Sequence, residues 1–452
     1  MYVSIVPALL CKITGLHLAI CGALATAFYT GLSLFLTYMS LQSLSKAELP
    51  EDLLRPLTAA SLLTPPLLNA ITAFDYGQRE HFYVLFLLPY FLVRFGRYFK
   101  DDFAPPTWLT VLIGLSFGLT ISYKPYFLLL PGALELYWLL RHRTLKNLIK
   151  SETLASLVAP LIYGAHFLLL PQAVRDTFFK EIAPLLVRAY GCFNSIKDTM
   201  VKLVWSFALS AYFISMLLAA TLPKRLQMNA PLLILISLSL AIIELQQKFW
   251  NYHGIPLHFW TSFTIIFSLV FYLALRPARY RLRAAFIIVC CALFMSINFI
   301  FHSSVFSRMQ RTWEPALDKY ASKGDRILLL DCSDTPWFPT FLHYDLQPAS
   351  HYLWLFAIPM REFQLRTAKD DSERRLAKEK IDQLFTNILR DEAESRPKFV
   401  MVRKNDAFGM NAIQYPDFAT YLNEHGMDKI LDKYEMISEG TEHKLYMRKE
   451  NK

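Results

Sequence analysis

From residue 17 to residue 302 the chain passes through ten blocks of nearly unbroken apolar sequence, near 17–42, 55–74, 81–96, 107–122, 126–140, 153–171, 200–222, 230–246, 254–275 and 284–302. A helix of roughly 20 residues, rising about 1.5 Å per residue, spans the ~30 Å hydrocarbon layer of a bilayer. Inside lipid the backbone has no water to bond, so long apolar blocks of this kind satisfy their N–H and C=O groups within themselves, as helices. Composition agrees: 54% of the residues are hydrophobic and only 19% are charged. A soluble core does not concentrate its apolar residues in runs this long. The fold expected is a polytopic α-helical membrane protein with about ten transmembrane helices.

The distribution of Lys and Arg sets an orientation. If the first span enters the cytoplasm from the far side, the cytoplasmic loops are 43–54, 97–106, 141–152, 223–229 and 276–283, which hold 13 Lys and Arg. The opposite loops have a similar total length and hold seven. Positive charge stays inside, so this orientation is preferred. The net charge of +10 then reads as a topology and headgroup signal and asks for no nucleic acid.

The same parity places DYGQREH (75–81), the ISYKPY turn (121–126), the loop 172–198, QQKFWNYHGIP (246–256) and everything after Ser303 on one non-cytoplasmic face. Charges beside apolar spans are costly unless they meet water, a partner or a ligand. Asp75, Arg79, Glu80, His81, Lys124, Lys248 and His253, with Trp250 and Tyr252 among them, are therefore the candidate site. Structural readings stand beside this one. Arg79 and Glu80 would satisfy each other at a helix entrance, Asp75 would cap the following helix, Lys124 would snorkel, and Trp250 and Tyr252 would belong to an interfacial aromatic belt. The belt leaves Gln246, Gln247 and Lys248 unexplained. Glu135, inside PGALELYW, is expected to pair with a neighbouring span.

After residue 303 the texture changes, giving two domains: 1–303, transmembrane with outer-face loops, and 304–452, a small extracytoplasmic α/β domain. GDRILLLDCSD and PKFVMVRK read as buried strands, RRLAKEKIDQLFTNILRDEAES as an amphipathic helix, and YPDFATYLNEHG as a helix stopped by Gly426. YEMISEG and HKLYMRK close the domain as two further strands. The aromatic run PWFPTFLHYDLQPASHYLWL, with Trp337, Phe338, Phe341, Tyr344, Tyr352 and Trp354, is expected to lie on the membrane-facing side of this domain. The competing reading makes these residues its core. No Gly-rich phosphate loop follows either strand. The six cysteines form no framework, and no Cys/His cluster has metal-ligand spacing, so neither a metal nor a cofactor is expected.

The order of DYGQREH, SYKPYFLLLPGALELY, QQKFWNYHGIP and a C-terminal α/β domain containing CSDTPWFPTFLHYDLQPASHYLWLFAIP resembles bacterial multi-pass glycosyltransferases of the GT-C superfamily. It is most similar to a branch carrying FGQREH and KPYF at corresponding places. The resemblance implies a membrane glycosyltransferase at the outer face of the bacterial cytoplasmic (inner) membrane. Its implied partners are a polyprenyl-phosphate-linked sugar donor, a glycan or lipid acceptor of the cell envelope, and membrane lipid, with no nucleic acid. The resemblance implies basic residues around the lipid phosphate, and Arg79, His81, Lys124, Lys248, Trp250, Tyr252 and His253 are the substrate-binding candidates; Asp75 or Glu80 would stand in as catalytic base. A sugar departing from phosphate leaves growing negative charge, which fixed cations in a dry site stabilise; the acceptor hydroxyl needs a carboxylate within hydrogen-bond reach. The superfamily carries its base on an acidic loop after a first span, ahead of an amphipathic segment. MYVSIVPALLCKITGL (1–16) corresponds to that segment, so the first span and its loop are expected to be missing from this sequence. The alternative expectation is a catalytically degenerate relative that binds a polyprenyl-phosphate lipid or a partner enzyme.

Overall fold

A computed structural model describes residues 2–71, 77–185, 207–246, 251–275, 313–332, 340–341, 343–352, 355, 357–404, 418–440 and 443–449. Two compact units are present: Met1–Pro171 with Ile196–Ser303, and Gln172–Ser195 with Ser304–Lys452. The break near residue 303 is where the sequence changes texture. The segment 172–195, which the sequence reading left in the transmembrane domain, groups instead with the C-terminal unit, where Lys380 Nζ lies 2.9 Å from Glu181 Oε2.

The first unit is helical. Its elements are α1 (Tyr2–Thr14), α2 (Leu18–Lys46), α3 (Glu51–Ile71), α4 (Arg79–Phe99), α5 (Thr107–Ile121), a 3-10 turn (Pro125–Leu128), α6 (Leu129–His142), α7 (Ser151–Leu169), α9 (Phe207–Thr221), α10 (Asn229–Gln246), a second 3-10 turn (Asn251–Gly254) and α11 (Ile255–Leu275). The short α8 (Gln172–Asp176) follows α7 and belongs to the second unit. Five of these helices are long and apolar enough to cross a membrane: residues 20–46, 79–99, 151–169, 229–246 and 252–273. The apolar α5 is shorter. This is a helical membrane protein. The tenth block, 284–302, lies outside the described residues.

Burial follows the sequence pattern. α4 is the central helix, with 89% of its spanning window buried and α2, α5, α6 and α11 packed around it. α7 is peripheral and presents Leu154, Leu157, Leu161, Ile162, Leu168 and Leu169 outward, as a lipid-facing helix does. α5 and α7 approach closely because Gly114 and Gly118, four residues apart, form a smooth strip. A Cβ on Gly118 would lie 2.4 Å from the Ser156 carbonyl oxygen, and one on Gly114 would lie 2.3 Å from that of Glu152. Thr110 and Ser151 share a hydroxyl hydrogen bond of 2.6 Å along the same seam.

The second unit holds a five-stranded mixed sheet of order β2-β1-β3-β5-β4. Its strands are β1 (Arg326–Leu330), β2 (Gln347–Pro348), β3 (Phe399–Arg403), β4 (Tyr434–Glu439) and β5 (His443–Arg448). β1 pairs in parallel with both β2 and β3, and β5 is antiparallel to β3 and β4. The central strands RILLL and FVMVR are almost wholly buried, which is why they read as continuous apolar runs. The helices are α12 (Glu314–Tyr320), α13 (Ala357–Arg366), α14 (Asp371–Ser395), α15 (Phe418–Glu424) and α16 (Asp428–Leu431). Asp370 caps α14 by accepting the Glu373 N–H at 2.8 Å. Gly426, at φ +78°, ends the α15 turn.

The aromatic run did not need a membrane surface where it is described. Phe341 is 7% exposed and sits in the core with Trp313, Ile327, Leu329, Phe399 and Leu445, and Tyr344 packs against the same core. Tyr344 also donates to Asp318 at 2.7 Å, and Tyr352 accepts from Asn387 at 2.9 Å. These contacts favour the domain-core reading; Trp337, Phe338 and Trp354 lie outside the described residues.

Candidate functional site

Lys124 is the residue around which the candidates assemble. It precedes Pro125, whose ring pushes the preceding residue into extended backbone, and Lys124 accordingly has φ −149° and ψ 128° before the 3-10 turn. That turn is fastened to α4 by Tyr83, which donates to the Phe127 carbonyl at 2.8 Å and stacks on the Phe127 ring at 4.1 Å. The Lys124 side chain therefore projects towards the start of α4, where its ammonium donates to Glu80 Oε1. It also lies 5.3 Å from the Tyr126 ring centre, 5.4 Å from that of Tyr252 and 5.9 Å from that of Phe127. Tyr126 is held by donating its hydroxyl to Gln246 Oε1 at 2.6 Å, across 120 positions of sequence.

Glu80 is fully buried, and its second oxygen, Oε2, has no hydrogen-bond partner among the described residues. A buried carboxylate with one oxygen on a cation and the other bare retains accepting capacity. Burial pushes the Lys124 ammonium down from its ordinary pKa; Glu80 opposes that shift, and the positive charge of Arg79 adds to it. Three aromatic faces around an ammonium give favourable cation–π contact while excluding water.

Three chain segments thus converge: Glu80 from DYGQREH, Lys124 from the KPY turn, and Tyr252 from the aromatic loop. The convergence differs in detail from the basic floor expected. Glu80 bonds Lys124 rather than Arg79, because Arg79 at the first position of α4 is exposed while Glu80 faces the bundle. His81 is buried beside Phe82 and its Nδ1 stands 3.4 Å from the Gly77 N–H. His253 is buried with its ring 4.4 Å from that of Tyr252. The residue at the N-cap position of α4 is Gln78. Asp75 itself, Lys248 and Trp250 lie outside the described residues. Gln246, left unexplained by an aromatic belt, has its role in holding Tyr126. Tyr126 had no signal beyond its place in KPY.

A second charged cluster lies 14 residues further along α4, roughly 21 Å away along a helix axis. Arg94 is fully buried, and all five of its N–H donors are used. It donates to Glu135 Oε1 and Oε2 at 2.6 Å each, to the Asn147 carbonyl at 2.7 Å, to Glu152 at 3.0 Å and to the Tyr98 hydroxyl at 3.2 Å. Arg97 also donates to Glu152, at 3.2 Å. Glu135 does pair with a neighbouring span, as its position suggested. Its partners were legible only as charges inside apolar blocks. A network this complete has no donor left for a ligand, and it clamps α4, α6 and α7 together.

In the second unit, Asp331 follows β1 and is fully buried. His443 Nε2 lies 2.9 Å from its Oδ2, and Arg403, ending β3, donates to both oxygens at 3.2 and 3.3 Å. The trio sits at the carboxyl ends of two parallel strands, where the chain runs from β1 to β2 on one side while β3 lies on the other. That is the usual location for ligands on open α/β sheets. Sequence reading marked none of these three residues. No cluster of His, Cys, Asp and Glu suited to a metal occurs among the described residues.

No known protein family, curated protein or solved structure matches the chain.

Proposed function

We propose that the protein is a glycosyltransferase that moves a sugar from a polyprenyl-phosphate-linked donor to a cell-envelope acceptor. It works at the outer face of the bacterial cytoplasmic membrane, with about ten spans and with residues 304–452 outside. One observation carries the reading: a shielded ammonium, Lys124, beside a buried carboxylate, Glu80, at the end of the helical bundle.

In this reading Lys124 holds the phosphate of the donor. Glu80 accepts the proton of the acceptor hydroxyl as that oxygen bonds to the anomeric carbon. The carbon–oxygen bond to phosphate breaks, and its electron pair leaves on polyprenyl phosphate, where the cation stabilises it. Exposed Arg79 meets the anionic headgroup at the mouth of the site, and Tyr126 and Tyr252 form its apolar walls. In sequence, Asp75 and His81 share the DYGQREH segment with Glu80, and Lys248, Trp250 and His253 share the aromatic loop with Tyr252.

The second reading, a relative that binds the lipid without turning it over, draws on the same ion pair, since Glu80 already neutralises Lys124. Protein in nanodiscs, given radiolabelled polyprenyl-phosphate sugars and envelope lipids, separates the two. Release of polyprenyl phosphate by the wild type and not by Lys124→Ala is the expected result. Binding of farnesyl phosphate without release would leave the lipid-binding reading. Absence of both binding and release would overturn both.

A further inference from the structure

Resting on that reading, we infer that Glu80 is a built-in competitor for the anion site: it occupies Lys124 while the site is empty, and a phosphate headgroup binds by displacing it, which frees Glu80 to act as a base. The proposal goes beyond the assignment of roles, because it couples the two residues in time. It stands on three features of one site.

The first is the contact itself, since Lys124 donates directly to Glu80 Oε1, and the Lys124 side chain is only 12% exposed. An incoming anion must therefore replace a carboxylate rather than water. The second is the asymmetry of the carboxylate, whose Oε2 is buried without a partner among the described residues. A purely structural ion pair gains from having all its lone pairs satisfied, as the Arg94 cluster does in this same bundle. The third is the flexibility difference between the partners. Glu80 is on the central helix, locked among buried neighbours, whereas Lys124 is on a turn with a long unbranched stem. Lys124 is the partner that swings.

The consequences are specific. While Lys124 donates to it, Glu80 Oε1 is already engaged when an acceptor hydroxyl arrives. When Lys124 transfers its hydrogen bond to the phosphate of the donor, Glu80 Oε1 is released to accept from the acceptor hydroxyl. Donor binding thus opens the acceptor-side group, and water or acceptor arriving early meets a carboxylate oxygen already held by Lys124.

The test is binding of farnesyl phosphate, and separately of inorganic phosphate, to protein in nanodiscs. Removing the competitor without changing shape, Glu80→Gln, should tighten binding of farnesyl phosphate by about tenfold, the gain expected when a site mostly held in a non-binding state is released. The same variant should lose sugar release. Lys124→Gln should lose binding. Equal or weaker binding by folded Glu80→Gln, with Lys124→Gln still defective, overturns the competitor and leaves the function standing. Binding in neither wild type nor Glu80→Gln overturns both. Tightening for farnesyl phosphate alone identifies the lipid headgroup as the source, and tightening for both identifies the phosphate group itself. Because Glu80→Gln can fail to fold, wild-type protein supplies a second readout: saturating farnesyl phosphate should raise labelling of Glu80 by a hydrophobic carbodiimide, because the carboxyl is no longer covered by Lys124. Unchanged or reduced labelling overturns the proposal.

Discussion

Arg94→Ala removes a group on the central helix that donates to both Glu135 and Glu152. Two carboxylates then remain inside the bundle. Glu152 keeps Arg97 at 3.2 Å, and Glu135 keeps the Tyr98 hydroxyl at 3.0 Å, so neither is wholly abandoned. Removal of one member of a buried ion pair costs about 3–5 kcal/mol, and the fully buried Arg94 with its five engaged donors belongs at the upper end of that range. In equilibrium terms the loss is roughly 10²–10⁴-fold. Reversible unfolding in mixed micelles, followed by tryptophan fluorescence, measures it. Arg94→Lys should fall between wild type and Ala, because a lysine offers three donors and no fork to match the Glu135 carboxylate. A triple variant, Arg94→Met with Glu135→Gln and Glu152→Gln, should recover much of the loss, since the penalty lies in the orphaned charges. A folded Arg94→Ala within about 0.5 kcal/mol of wild type, the range of an ordinary surface substitution, would refute the clamp.

Other outcomes follow from single contacts. Gly118→Val forces a side chain against the Ser156 carbonyl and should cost about 1–3 kcal/mol by overpacking, read in the same unfolding assay. Gly132→Ala, where an added Cβ meets nothing, is its control. Tyr126→Phe loses the hydrogen bond to Gln246 and should cost about 0.5–1.5 kcal/mol, with a further loss of farnesyl phosphate binding as the ring beside Lys124 loosens. In the C-terminal unit, burial raises the Asp391 carboxyl, but bonds from Ser350, the His351 N–H and the His351 ring outweigh it and hold its pKa below the ordinary value. Such a group contributes stability above its unfolded pKa of about 3.9 and loses it as pH falls through the lower folded value. The wild type should therefore weaken in that acid window by circular dichroism, and Asp391→Asn should show a flatter profile there.

How far the sequence could be read depended on whether a signal was local. α4 and the flanking apolar helices follow from composition and length alone, and β1, β3 and α14 from runs and periodicity whose cause lies within a few residues. β2, two residues long, and α13 left no such trace. The bounds of α4 also moved, from 81–96 to Arg79–Phe99, because Arg79 and Glu80 are helical despite their charge. The aromatic run was harder: Phe341 and Tyr344 look the same in a membrane-facing sequence as in a domain core, and only the strands behind them choose.

By itself the sequence determined that the chain is a helical membrane protein, where its charges concentrate, and that Lys124 stands before a proline that fixes its backbone. Partner choice it could not determine. Arg79 and Glu80 are adjacent, yet consecutive residues on a helix point about 100° apart, so one reaches solvent and the other the bundle. Tertiary packing then brought Glu80 to Lys124 across 44 positions, Tyr126 to Gln246 across 120, and Asp331 to His443 across 112. Hydrogen bonds of that separation leave no periodic mark on the chain, because their geometry is set by how helices and strands pack, and only the folded structure supplies it.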